Sequence, residues 1–194
     1  RVPFHFADVD MYTISAHKLH GPKGVGALAV KKGVRLNPQH IGGGQEEDLR
    51  SGTENTPGIA GFCEAVREMD ASGLMEKKLH MVRAFMDAVP EAIINSPAPE
   101  KGAPHILNIS FPGVRGETML HALEADGVYA STGSACSSKK RKVSSVLTAM
   151  GIPVDRAESA LRFSLSPHTT LEEIDCAAEV LRRAWPQLRR FQRR

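Results

Sequence analysis

The sequence predicts an α/β protein, and three observations carry that prediction. Short runs of β-branched and small apolar residues at 10–16, 26–31, 105–111 and 161–166 have the composition of strands. Between and after them, apolar residues recur every three to four positions, the period of an amphipathic helix. Helix-start signals stand where those segments begin, among them the capping box Thr169-Thr170-Leu171-Glu172-Glu173.

Residues 10–16 and 26–31 read as an antiparallel pair, or as two neighbours in a larger sheet, joined through His20-Gly21-Pro22-Lys23-Gly24. Two strands alone are marginal in water, so this pair requires a further segment or a second chain. Between them, Ser15-Ala16-His17-Lys18 sets an amine behind a hydroxyl and an imidazole at a strand end. A desolvated lysine, or one beside another cation, acts as a Schiff-base nucleophile, and pyridoxal phosphate is its common partner. Ser15 and His17 then suit the phosphate and Lys18 the aldehyde. A surface lysine after a strand, with Gly-Pro as an ordinary turn, fits the same residues.

Residues 37–56 are polar and Gly-rich and read as a long functional loop. Gly42-Gly43-Gly44 suits a phosphate cradle or simply flexible backbone. Thr56 reads as an N-cap with Pro57 at the first helical position. Ile59, Phe62, Cys63, Val66 and Met69 follow on one face, which makes Cys63 a small core residue. A second helix over 74–89 carries Met75, Leu79, Val82, Met86 and Val89 as its stripe, with His80 beside it as a structural or solvent-facing group.

The Pro-rich stretch at 95–104 marks a boundary, giving domains 1–94 and 95–194. In the strand at 105–111, Leu107, Ile109 and Phe111 share the apolar side. Residues 117–124 form a short helix with Met119, Leu120 and Leu123 as its stripe, and 128–131 return as a strand. Next comes Ser131-Thr132-Gly133-Ser134-Ala135-Cys136-Ser137-Ser138, whose tiny side chains leave Cys136 as a mobile, accessible thiol. Lys139, Lys140, Arg141 and Lys142 favour its thiolate; a solvated basic run, or a surface for an acidic protein, also fits them.

A helix from about Ser144 to Met150 ends at Gly151, before Ile152-Pro153. In the strand at 161–166, Arg162 lies on the polar face, where a guanidinium grips a carboxylate bidentately or makes a surface ion pair. Ile174, Ala178, Leu181 and Trp185 form the last helical stripe, up to Pro186, with Cys176 off it.

With 41% apolar and 24% charged residues, the 194 positions have ordinary soluble composition, enough for one domain or one and a half. No apolar run approaches the ~18 residues of a membrane span, and the N-terminus lacks a secretory pattern, which predicts a cytoplasmic protein. The 3 cysteines form no CxxC pair, arguing against a disulfide framework or a metal site and for a reducing compartment. The net charge is +3, and the terminal arginines read as a solvated face rather than a nucleic-acid surface.

Three ordered motifs resemble the cysteine desulfurases, NifS/IscS-like members of the class V aminotransferases. They are SAHKLHGPKGVGALAV from Ser15, GGGQEEDLRSGTENTPGIAGF from Gly42 and STGSACSS from Ser131; ALRFSLSPHTTLEEID from Ala160 extends the similarity along nearly the whole chain. The resemblance implies a pyridoxal phosphate (PLP)-dependent transferase fold of the aspartate aminotransferase type. Residues 1–94 would be the C-terminal portion of the large PLP-binding domain and 95–194 the α+β small domain carrying the cysteine loop.

It also implies pyridoxal 5'-phosphate as cofactor, Lys18 as the imine-forming and proton-moving amine, and Ser15 and His17 as phosphate ligands. Thr53 would reach the phosphate of the other subunit in a homodimer, and Arg162 the carboxylate of L-cysteine. Cys136 would take the sulfur as a persulfide, leaving alanine, for an iron–sulfur scaffold or another acceptor protein. No metal, nucleic acid or membrane enters this scheme. The chain opens on Arg1 without Met, and the resemblance implies that about half of the enzyme precedes it, so this stretch alone is expected to bind cofactor weakly or not at all and to lack activity. Ser166-Pro167 departs from the usual Gly and larger residue, close to Arg162. A selenocysteine or cystine lyase without obligatory use of Cys136, and a non-catalytic dimerisation or scaffold-binding module, are the alternatives.

Overall fold

The structure, a computed structural model, describes residues 9–98, 101–132 and 143–191. It divides into two compact units, Arg1–Ala71 and Ser72–Arg194.

In the first unit, strands β1 (Met11–Ser15) and β2 (Gly26–Val30) pair antiparallel from Met11 opposite Val30 to Ser15 opposite Gly26. A one-turn 3-10 helix, Ala16–Leu19, follows β1 and stops where His20 turns left-handed at φ 64. A β-carbon on Gly26 would stand 2.5 Å from the Ile14 carbonyl oxygen, so the ribbon closes at this end only with glycine there. Residues 32–55 form no regular element beyond a bridge between His40 and Arg50.

Helix α1 (Thr56–Arg67) begins one residue earlier than expected: Asn55, not Thr56, is the N-cap, its side chain accepting the Gly58 N–H at 3.1 Å. Its apolar face forms as predicted but is not covered. Ile59 and Val66 are each 40% exposed, and Cys63 is exposed rather than a core residue. Within this unit α1 packs on the 3-10 turn and the residues just after it, Gly21 and Pro22 meeting it at Ala65 and Gly61, while Phe62 is half-buried.

The second unit centres on an antiparallel sheet of order β3-β4-β5, namely Ile93–Ile94, Ile106–Ser110 and Ala160–Ser164. One face buries Leu107, Ile109, Leu161 and Phe163, and full burial of such a side chain contributes about 2 kcal/mol. Helices α2 (Leu74–Ala88) and α6 (Leu171–Phe191) pack against each other, α2 also reaching β4, and Phe85 meets Phe163 edge-on with ring centroids 4.8 Å apart. Helix α3 (Gly116–Ala125) adds Met119 and Leu123. Two one-turn helices, α4 (Ser145–Ala149) and α5 (Val154–Glu158), complete the unit.

Several details differ from the sequence reading. The buried stripe of α2 is Leu74, Lys78, Met81, Phe85 and Ala88, one residue out of phase with the expected set. Lys78 lies in the core because its hydrocarbon stem packs there while Nζ donates to the Ala103 carbonyl at 2.8 Å. Because α2 packs on α6, it groups with the second compact unit, which begins at Ser72. Residues 128–131 supply one bridge, Ser131 to Arg162, instead of a strand. Helix α6 runs through Pro186: Leu181 and Trp185, in the turn before the lost backbone donor, stay buried. Its N-terminus is the expected capping box, with Thr170 N–H donating to Glu173 Oε2 at 2.9 Å and Glu173 N–H to Thr170 Oγ1 at 3.2 Å.

Candidate active site

The lysine turn is shaped by backbone and glycines. Ala16 is fully buried; its N–H donates to the Val25 carbonyl at 3.1 Å and its own carbonyl accepts the Gly21 N–H at 2.9 Å. That closed loop leaves its neighbours Ser15, His17 and Lys18 exposed. Ser15 and Lys18 are three residues apart, the spacing at which side chains of a 3-10 turn align. A hydroxyl, an imidazole and an amine thus share one turn, a donor set that fits an anionic aldehyde.

The turn is also seated from beneath. A β-carbon at Gly61 would stand 2.7 Å from Pro22 Cγ, and one at Gly21 3.2 Å from Ala65 Cβ. Only hydrogen atoms at these positions let α1 support the turn this closely.

Thr53 is exposed in the same unit, directly after Gly52, whose N–H donates to Gln45 Oε1 at 3.1 Å. Gln45 escaped the sequence reading. An amide inside a polar glycine-rich run has no periodicity to expose it.

Arg162 lies in the second unit, at the middle of β5. Its backbone is held on both sides, opposite Asn108 of β4 and bonded to Ser131 through N–H to oxygen distances of 2.7 and 3.1 Å. Its Nε is, among the described residues, the buried side-chain polar atom without a hydrogen-bond partner. Leaving such a donor unmatched costs about 1–3 kcal/mol, so the site favours an oxygen ligand, and a carboxylate matches its fork. Asn108 is itself fixed by Asn95, whose Nδ2 donates to Asn108 Oδ1 at 2.7 Å and to Ser110 Oγ at 2.8 Å. Arg156 Nε in turn donates to Asn95 Oδ1 at 2.7 Å.

Cys136 and the basic run from Lys139 to Lys142 lie outside the described residues. Thr132 and Val143, the nearest described positions on either side, border one cavity of about 120 Å³ with Arg115, Ser144 and Glu158. The cations Arg183 and Arg189 of α6 are paired with Asp126 and Glu91, at 3.4 and 3.0 Å, and Arg182 with Glu179. Among the described residues, no group of His, Cys, Asp and Glu could hold a metal ion, and no helix is long and apolar enough to cross a membrane.

Comparison with known proteins gives these residues a context. The cysteine desulfurase IscS of Dictyoglomus turgidum is 40% identical over 187 residues, 93% of this chain and 47% of that protein. A cysteine desulfurase of Sinorhizobium fredii is 42% identical over 180 residues, 89% of this chain and 46% of its own length. A solved NifS-like protein superposes with a TM-score of 0.81 at 37% identity, covering 93% of this chain and 47% of that one. The chain thus spans about half the length of the curated relatives it matches. The fold is that of the pyridoxal phosphate-dependent transferases to which these relatives belong. Since the class-V aminotransferase model matches residues 2–176, nearly all of the sequence, the chain belongs to the aminotransferase class-V family.

Proposed function

We propose that the protein acts as a cysteine desulfurase, removing sulfur from L-cysteine with pyridoxal 5'-phosphate and leaving alanine. The observation that carries this reading is the exposed Lys18 on its closed turn beside Ser15 and His17, in a chain about 40% identical to cysteine desulfurases.

When bound, the cofactor supplies an electron sink for the pair released from the substrate Cα–H bond. Lys18 Nζ holds the aldehyde and moves the α-proton, while Ser15 Oγ and a His17 ring nitrogen bind the phosphate. Thr53 Oγ1 serves the phosphate of a second subunit, which makes the homodimer part of the site. Arg162 uses its unmatched Nε and neighbouring guanidinium nitrogens to orient the substrate carboxylate. Cys136 attacks the substrate sulfur as a thiolate: an S–S bond forms, the C–S bond breaks, and the carbon skeleton takes up a proton to leave as alanine. The resulting persulfide passes to an iron–sulfur scaffold or another sulfur-acceptor protein.

Substitution separates the roles. Lys18→Ala should abolish alanine formation and remove the cofactor adduct that borohydride fixes to the protein, measured by intact mass. Arg162→Lys should raise KM for cysteine about tenfold, the loss of one bidentate contact. Alanine formation that survives Lys18→Ala would sink the proposal. Survival only in Cys136→Ala would instead favour a lyase that needs no persulfide.

A further inference from the structure

The loop leading to Thr53 is closed on itself by a side chain with no part in the proposed chemistry. At its neck, Ser51 N–H donates to the His40 carbonyl at 2.9 Å, and His40 and Arg50 bridge. Inside it, Gln45 folds back across the loop. Its Oε1 accepts the Gly52 N–H at 3.1 Å, and a β-carbon on Gly43 would stand 2.9 Å from the same oxygen.

Directly after Gln45 the backbone takes three successive left-handed residues, Glu46, Glu47 and Asp48, with φ of 51, 56 and 64. None is glycine, and such a run persists only where surrounding contacts over-determine it. The bond from Gly52 to Gln45 is one such contact, tying the strained stretch to the residue before Thr53. Gly52 itself sits at φ 115, a backbone shape that does not hold without support for a side-chain-bearing residue and sets the direction in which Thr53 leaves the loop.

The geometry points to Gln45 as a positioning residue for the phosphate anchor. By occupying the Gly52 N–H it fixes the Gly52 turn, and the Thr53 hydroxyl, not the Gly52 amide, is left to meet the phosphate. This inference rests on the reading of Thr53 as a phosphate ligand.

The test is equilibrium binding of pyridoxal 5'-phosphate and of phosphate-free pyridoxal to the whole protein, by absorbance titration. Gln45→Ala is expected to weaken pyridoxal phosphate binding about tenfold with pyridoxal unaffected, and Gln45→Glu, which keeps an acceptor oxygen at the same reach, to restore it. Thr53→Ala should give a similar loss, and Gln45→Ala with Thr53→Ala no further loss, since the two act on one contact. If Thr53→Ala weakens binding while Gln45→Ala does not, or if the two losses add, the positioning role is wrong. Unchanged binding in Thr53→Ala, or no measurable binding by the unsubstituted protein, overturns the phosphate reading and this inference together.

Discussion

The two compact units differ in how much of their own apolar surface they cover. Every buried apolar side chain of the described chain except Ala16 lies between Leu74 and Trp185, in the second unit. The first unit leaves Met11, Tyr12, Leu28, Ile59 and Val66 substantially exposed. Its ribbon has two strands, and its helix packs chiefly on the lysine turn among the described elements. The difference teaches where stability and chemistry reside. The second unit holds Arg162 on a sheet that its own helices bury, while the first holds Lys18 on a turn braced by hydrogen bonds and two glycine contacts.

The largest expected effect tests the dense side. Phe85→Ala removes a ring packed on Phe163 and should cost about 3–5 kcal/mol, read by denaturant unfolding of Trp185 fluorescence, whose reporter belongs to the same unit. Val66→Ala, at a 40% exposed position, should cost less than about 1 kcal/mol. Equal costs would erase the contrast.

A smaller effect tests it by backbone dynamics. Amides of β4 and β5 should outlast those of β1 and β2 in hydrogen exchange by about two orders of magnitude, because few buried apolar contacts oppose opening of the ribbon. Matched protection would mean that something else covers the first unit in solution.

The smallest effect concerns charge at the start of α6. Hydrogen bonds from its own backbone N–H and from Thr170 hold the Glu172 carboxyl below the usual glutamate range. A carboxyl depressed on folding contributes stability above its unfolded pKa, and that contribution fades as pH falls through the folded value. Glu172→Gln should therefore lower stability slightly at neutral pH and leave it unchanged at acid pH, so that the acid limb of the stability curve flattens, in thermal melts from neutral pH downwards. A loss of stability that persists undiminished at acid pH, where the carboxyl is protonated in either state, would contradict the cap.

Legibility followed the same division. Where period and burial coincide, as along Ile174, Ala178, Leu181 and Trp185, the pattern announces both helix and core. Alternation did the same for Leu107, Ile109 and Phe111. Lys78 broke the rule for α2: a charged residue in the buried stripe disguised its phase by one position. On α1 the stripe was visible but its burial was not, since burial depends on what packs against it. The places of Lys18 just after a strand and of Arg162 within one were legible in the sequence, whereas the contact of Gln45 was not, because it closes a loop whose shape no local pattern encodes.

Gly61 has no reactive group and sits in the interior of a helix, where alanine ordinarily adds about 1 kcal/mol of stability. Here an added methyl meets the ring of Pro22 at 2.7 Å, and Pro22 lies four positions after Lys18 in the chain. A change that improves the helix on paper therefore tilts the platform under Lys18. Thermostability screens that swap helical glycines for alanine would disturb the lysine turn at this position.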